Sequence, residues 1–408
     1  MKIRLLVLAI FLPFFAFSQV TISGTVQNMT DTKPVASASV FLSNTTAGAE
    51  TAADGTFRFT VKPGKYDLIV SVVGYETYVQ PIIVGDKNIQ LPPINLVSTT
   101  TLLKQVSIKP NNAWYRLYQR FKKEFLGTGA YAQQCKILNP DSLDLNFDAS
   151  AGQLTASSRG FLIIENKALG YRIKYQLIRF VKNYGTKELV YKGYPLFEEM
   201  KGNGEEEQNW KKNRLDCYTG SPMHFLRAVI ADKVAAEGFE VHKVYTRLNP
   251  PALFGASNDG LVKVDTFSKY KMRFVDSVLD RLYYFDETEN KGIYVLDCPY
   301  SLYIMYKKRL DYDKDRSSVY TQFNMPNYES TIATFMQEPD SAGIPKDTIM
   351  VAYPHLWKFK RVLKKPYAFF DDNGVLTDPL SLSYSGYWAY LREADALPFD
   401  YEPPVTGK

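Results

Sequence analysis

The stretch from Trp210 to Arg227, WKKNRLDCYTGSPMHFLR, is the densest set of potentially reactive groups in the chain. It holds the guanidinium groups of Arg214 and Arg227, the phenol of Tyr218, the imidazole of His224 and the indole of Trp210. Cationic and aromatic groups beside a helix N-terminus suit an anion, because first-turn N–H groups there point outward without partners. Trp210, Arg214, Tyr218, His224 and Arg227 are therefore the candidate binding residues. No residue is assigned a catalytic role. Ser221 precedes His224 by one helical turn, so its hydroxyl is expected to cap the helix rather than attack a substrate. A general base also needs an orienting partner, which no spacing here identifies, so His224 is read as a buried structural imidazole.

Other chemistries lack their patterns. There is no GxSxG elbow, no P-loop and no GxGxxG after a strand. The chain has three histidines, His224, His242 and His355, and none begins an HxxE or HExxH pair, so no metal or cofactor is expected. Cys135, Cys217 and Cys298 are far apart and odd in number; at most one disulfide is possible, and packing as small buried hydrophobes is the expected use. Glu198-Glu199 and Asp371-Asp372 are adjacent pairs, which point to opposite faces of an extended chain. A glycosidase needs two carboxyls facing one another across a cleft, and distant strands could still assemble such a pair. The 29 Tyr and four Trp could form sugar-stacking platforms, although core and rim packing is the commoner use. Lys and Arg number 49 against 43 Asp and Glu; without Lys2 and Arg4 the excess is four, too dispersed for nucleic-acid binding.

These groups must be positioned by a mostly β scaffold. Lys201–Arg214, with Gly202, Gly204 and three consecutive glutamates, reads as a mobile surface loop. Ser221 as N-cap, Pro222 at the first position and Gly238 at the end bound a helix that buries Phe225, Leu226, Val229, Ile230 and Val234. Upstream, Tyr171, Ile173, Tyr175 and Leu177 alternate with polar residues as in a half-buried antiparallel strand, with Lys187–Tyr191 as its hairpin partner. Residues 143–147, 154–164, 262–267, 270–275, 282–285, 292–296 and 301–308 read as further strands. A short helix is expected within 385–398, stopped by Pro398. Between 98 and 135 lie a polar connector, a possible edge strand at 102–108, and a basic helix with Asn112 as N-cap and Gly127 after its end. Its stripe of Trp114, Leu117, Tyr118, Phe121 and Phe125 is expected to dock on the following domain, with membrane-surface docking as the alternative.

The N-terminus reads as a secretory leader, residues 1–18. Lys2 and Arg4 precede an apolar run from Leu5 to Phe15, and Ala16 and Ser18 are small residues suited to cleavage between Ser18 and Gln19. The run is short for a membrane span and no other apolar stretch is long enough for one. Residues 19–97 follow as short strands with a turn about every ten residues, which predicts a seven-stranded sandwich. Its fragments Ile22-Ser-Gly24-Thr-Val26, Pro34-Val35, Asp54-Gly55-Thr-Phe57, Pro63-Gly64-Lys-Tyr66 and Val73-Gly74-Tyr75 resemble the carboxypeptidase regulatory-like domain, a transthyretin-like sandwich. The resemblance implies a non-catalytic accessory module of Bacteroidota envelope proteins, without the zinc motif of the enzyme in the family name.

Beyond it, Phe125-Leu-Gly, Asn139-Pro140, Ile164-Glu-Asn166, Leu169-Gly-Tyr171, Gly193-Tyr-Pro195, Tyr218-Thr-Gly-Ser221, His224-Phe-Leu-Arg227 and Gly238-Phe239 are similar to an uncharacterised group of Bacteroidota envelope proteins. That group usually has Ala where this chain has Cys217. A transmembrane β-barrel fits poorly, since the strands are uneven and the chain end is charged and proline-rich. The expected fold is mainly β: an Ig/transthyretin-like sandwich and a larger, mostly antiparallel β domain at 136–408 with a few helices. The expected role is an exported, non-catalytic binding or structural protein of the periplasm or outer membrane, with a glycan, peptide or outer-membrane partner. The alternative is a hydrolase of envelope or nutrient polymers.

Overall fold

The computed structural model describes residues 20–99, 112–185, 189–248, 270–274, 278–297, 301–308, 348–354, 367–377, 381–386, 388 and 391–404. The leader and its cleavage site, the strands expected at 102–108 and 262–267, Cys298 and His355 lie outside these residues. The chain divides into two compact units, 1–106 and 107–408.

The first unit contains β1 (Val20–Asn28), β2 (Ser39–Leu42), β3 (Gly48–Glu50), β4 (Thr56–Val61), β5 (Gly64–Ser71), β6 (Tyr78–Val84), β7 (Ile89–Gln90) and β8 (Ile94–Leu96). One sheet joins β4, β1, β7 and β8, and the other runs β3-β2-β5-β6. β1 is antiparallel to β4, from Val20 opposite Val61 to Thr25 opposite Thr56, and parallel to β7 and then β8. Period-two alternation fills the space between the sheets. Val20, Ile22, Val26, Phe57, Phe59 and Val61 from one sheet meet Val40, Leu42, Leu68 and Val70 from the other. The expected sandwich is present, with eight strands among the described residues. Gly48–Glu50 adds a strand, and Pro92 and Pro93, which cannot donate to a ladder, split the run from Ile89 to Leu96. Asp54-Gly55 makes a tight turn with Gly55 at φ +76° and Asp54 Oδ1 accepting from the Thr56 N–H and hydroxyl. It does not close a hairpin within one sheet, as the dipeptide suggests. It carries the chain from β3 to β4 in the opposite sheet.

The second unit opens with α1 (Asn112–Leu126), in which Asn112 is the first helical residue rather than the cap, and α2 (Ala130–Gln133). Then come β9 (Cys135–Ile137), β10 (Leu143–Asp148), β11 (Gln153–Ser158), β12 (Phe161–Asn166), β13 (Tyr171–Asn183) and β14 (Leu189–Glu199), all antiparallel to their neighbours. The single run expected at 154–164 is two strands, because Gly160 at φ +81° turns the chain between them. β13 is the spine. β14 lines one edge over almost its whole length, and β12 and β11 share the other. Tyr171, Ile173, Tyr175 and Leu177 face inward as expected. A register shift between Leu177 and Arg179 then turns Phe180 inward too and leaves Ile178 exposed. α1 covers this face: Phe121 meets Phe180 edge-on at 5.0 Å and Phe125 meets Tyr175 at 5.2 Å. Gly127 at φ +94° ends the helix.

Next are α3 (Gly204–Tyr218) and α4 (Pro222–Ile230), followed by β15 (Phe239–Leu248), β16 (Tyr270–Phe274), β17 (Phe285–Glu287), β18 (Ile293–Asp297), β19 (Ser301–Tyr306), β20 (Thr348–Pro354), β21 (Tyr367–Asp371) and β22 (Leu382–Gly386). They form a five-stranded sheet, β16-β15-β19-β20-β22, and a three-stranded one, β17-β18-β21. Phe225, Leu226 and Val229 of α4 pack into a core with Phe239, Ile304, Leu296, Phe370 and Trp388.

Four expectations change here. Residues 204–218 are a helix, not a mobile loop: Asn203 accepts from the N–H groups of Glu205 and Glu206, and the Glu206 carboxylate accepts from the Asn203 N–H. The glutamate run thus sits where the helix dipole favours negative charge. α4 stops at Ile230, eight residues before Gly238, because Asp232 at φ +54° takes the left-handed position. Lys233 N–H then reaches the Ala228 carbonyl and Asp232 N–H the Val229 carbonyl. The helix expected within 385–398 is, among the described residues, the end of β22 and one tight turn at Glu393–Asp395. The strand expected at 282–285 is likewise displaced to Phe285–Glu287, behind a turn at Arg281–Tyr283.

Candidate functional site

α3 lays three side chains along the turn that joins β12 to β13. Trp210 Nε1 donates to the Lys167 carbonyl (2.9 Å), Asn213 Nδ2 to Ala168 (2.8 Å), and Arg214 Nε and Nη2 to Leu169 and Gly170 (2.7 and 3.3 Å). Four successive carbonyls are thereby satisfied by one helix face. Arg214 Nη1 also reaches Glu199 Oε1 at 2.7 Å, and its guanidinium lies 3.9 Å from the centre of the Tyr171 ring. These donors meet the backbone requirement of the turn, where Gly170 alone also has a backbone donor, the Met200 N–H.

One turn further on, α3 delivers Tyr218 to His224 and Arg227. Ser221 caps α4, its Oγ accepting from the His224 N–H at 3.1 Å, which is the role expected for it. The Gly220 N–H donates to His224 Nδ1 at 3.0 Å, so the ring proton resides on Nε2, which faces Glu237 Oε2 at 3.4 Å. Tyr218, Phe239 and Tyr306 wall the ring, with centroids 4.8, 4.9 and 5.8 Å away. Burial holds this imidazole below the usual histidine range, with Glu237 opposing. Arg227 donates from Nε to the Asn373 carbonyl (2.8 Å), from Nη1 to Tyr401 (2.8 Å) and from Nη2 to Phe399 (3.0 Å). Tyr401 packs 5.7 Å from Tyr218, and its buried hydroxyl has no hydrogen-bond partner among the described residues. Burial pushes that phenol up to about 12, although Arg214 and Arg227 both act to lower it. Tyr218, His224 and Arg227 thus come together, with Arg214 in electrostatic reach. The space they share is filled by the chain's own C-terminal segment.

One feature went unassigned from sequence and another was read only as a docking stripe. Glu393 is 5 % exposed, and burial raises its carboxyl to about 8. Its neighbours Arg392 and Asp395 disguise it as part of a solvated turn, so no local signal marks it. The other feature is the N-terminal end of α1's aromatic stripe, where Tyr118 is half-buried against the core. Trp114 and Tyr118 stack nearly parallel, 5.4 Å apart and 7° between planes, beside Tyr115, which is 57 % exposed. One turn on, the Arg120 guanidinium lies 5.3 Å from the centre of the Phe147 ring, and Phe147 meets Tyr184 at 6.3 Å. The helical spacing of 114 and 118 was legible; the addition of Phe147 and Tyr184 depends on how α1 crosses the sheet.

Among the described residues no group of His, Cys, Asp and Glu is arranged to hold a metal ion, and no helix is long and apolar enough to cross a membrane. Cys135 and Cys217 are buried, neither is in a disulfide, and burial raises the Cys135 thiol to about 12.

No curated protein matches the chain. Among solved structures, a type II cohesin–X-dockerin complex mutant from Acetivibrio cellulolyticus is 23% identical over 19% of this chain and 56% of its own, with a TM-score of 0.18. The chain therefore spans little more than half of that relative. A DUF3823 family protein from Bacteroides ovatus is 11% identical over 45% of this chain and 82% of its own, with a TM-score of 0.16. One from Parabacteroides merdae is 13% identical over 46% and 83%, at 0.15. At these scores none carries an argument about fold or ligand. Residues 22–108, by contrast, match the family described as CarboxypepD_reg-like domain, and the chain carries that domain at those positions.

Proposed function

We propose that the protein is an exported, non-catalytic component of the cell envelope that binds a glycan on the aromatic face of α1. The leader pattern supports export. The observation that carries the binding reading is the near-parallel pair Trp114 and Tyr118 with exposed Tyr115. Flat amphipathic rings offer an apolar face to sugar C–H groups and a polar edge to hydroxyls. The arginines of the 210–227 segment, in contrast, spend their donors on backbone carbonyls and, from Arg214 Nη1, on the Glu199 carboxylate.

The test presents the mature chain, residues 19–408, to a panel of immobilised polysaccharides and peptidoglycan. Binding should fall at least tenfold in Trp114→Ala with Tyr115→Ala, while the unfolding midpoint of the sandwich stays put. Retained binding in that variant removes the site from the reading. Turnover of any polymer, abolished by one carboxylate-to-amide change, replaces it with the hydrolase. Recovery of a mature chain beginning at Gln19 outside the cytosol supports export; a cytosolic mature form defeats it.

A further inference from the structure

We infer that the C-terminal segment 391–401 is a clasp whose closure requires the proton on Glu393. Apart from its two tight turns, at Glu393–Asp395 and Pro398–Tyr401, the segment is fastened by side chains. Arg392 Nε donates to the Glu124 carbonyl of α1 (3.0 Å), Asn166 Nδ2 donates to the Ala394 carbonyl (3.0 Å), and Arg227 holds the carbonyls of Phe399 and Tyr401. Ala394 enters the core under α1, with Ala396 and Leu397 packed beside it. Within this seam Glu393 puts a carboxyl into the interior, and its Oε1 has no hydrogen-bond partner among the described residues. The titratable groups around it are Tyr175 of β13, Tyr191 of β14 and Cys135 of β9. The charged groups near these neighbours are Lys122 of α1, which acts on Cys135, and, on the segment's own turn, Arg392 and Asp395; burial alone shifts Glu393. Among the described residues no cation is paired with the Glu393 carboxyl, so its ionised form would be buried without compensation.

The direction of the pH effect follows. Burial raises the carboxyl from 4.5 to about 8 in the closed form, while an open segment returns it to the ordinary value. Below 4.5 both forms hold the proton and closure is at full strength. Between 4.5 and about 8 only the closed form holds it, so each pH unit favours opening by about tenfold. Above about 8 both are ionised and the ratio levels off. Opening releases two donors of Arg227, Nη1 and Nη2, and withdraws Tyr401 from Tyr218, uncovering a cationic, aromatic surface. This device does not depend on the glycan reading.

Hydrogen-exchange protection factors for residues 391–401 and for β13 amides, measured on the full mature chain from pH 5 to 9, test it. Protection of the segment should fall about tenfold per unit up to about pH 8 and then flatten, with β13 remaining more protected. Glu393→Gln, uncharged and nearly the same shape, should abolish the slope. An infrared band of a protonated carboxyl at pH 7, absent from that variant, provides a second readout on the wild type itself. Equal slopes in the two proteins, absence of the band, or opening of the segment only together with β13 overturns the clasp.

Discussion

A Cβ placed on Gly170 would lie 2.2 Å from Cδ2 of Trp210, and the φ of +67° there is one that L side chains rarely adopt. Gly152, at φ +58°, has open space where its Cβ would go. The pair separates two effects that a glycine usually confounds. Gly152→Ala should cost about 1 kcal/mol, the backbone penalty alone. Gly170→Ala should cost about 3 kcal/mol or more, because the indole must leave the Lys167 carbonyl to make room. Urea unfolding of both variants gives the comparison; equal losses would mean that the Trp210 contact contributes nothing. At this scale the sequence revealed which side chains are chemically able, and not what they touch. Arg214 and Arg227 looked ready for an anion because carbonyls, their actual partners, belong to every residue and leave no mark in the residue types. The fragment Leu169-Gly-Tyr171 is the stretch that Arg214 grips.

Elements differ in how much of themselves they display. β1, β4, β10 and β13 were legible because burying one face of a strand writes a period of two into the residue types. α3 was not, since only Trp210, Cys217 and Tyr218 among its fifteen residues are buried, which leaves no apolar stripe. Its start signal, Asn203 followed three residues later by Glu206, was present but overshadowed by Gly202, Gly204 and the glutamate run. α4 shows the converse. Its Ser221-Pro222 beginning was legible and its end was not, because Asp232 occupies a position at which glycine is usual. If the capping box holds α3, Asn203→Ala should cost about 1–2 kcal/mol. The loss should appear in exchange at the first turn of α3 and at the 167–170 turn together, since the helix carries the donors for that turn. Loss of protection in the first turn alone would show that Trp210, Asn213 and Arg214 keep their grip without the cap.

For the molecule as a whole, the first unit encloses its own core, and every strand in it pairs within it. Ile22, Val40, Leu42, Leu68 and Val70 are each 0 % exposed. A sandwich of this size sits near the lower limit for independent stability, where a few kcal/mol decide between folded and unfolded. Residues 19–106 expressed alone should therefore unfold in one cooperative urea transition. Ile22→Ala should remove about 2–5 kcal/mol, a large part of the total, because the lost side chain leaves a gap between β1 and the opposing sheet. The fragment lacks Glu393, so its transition should also be insensitive to pH between 5 and 8. In the full chain over the same range, the part of the molecule beneath α1 should weaken as pH rises. A fragment with no cooperative transition would mean that the sandwich takes essential support from outside these residues. A fragment with the full chain's pH dependence would shift the origin of that dependence from Glu393 to the sandwich itself.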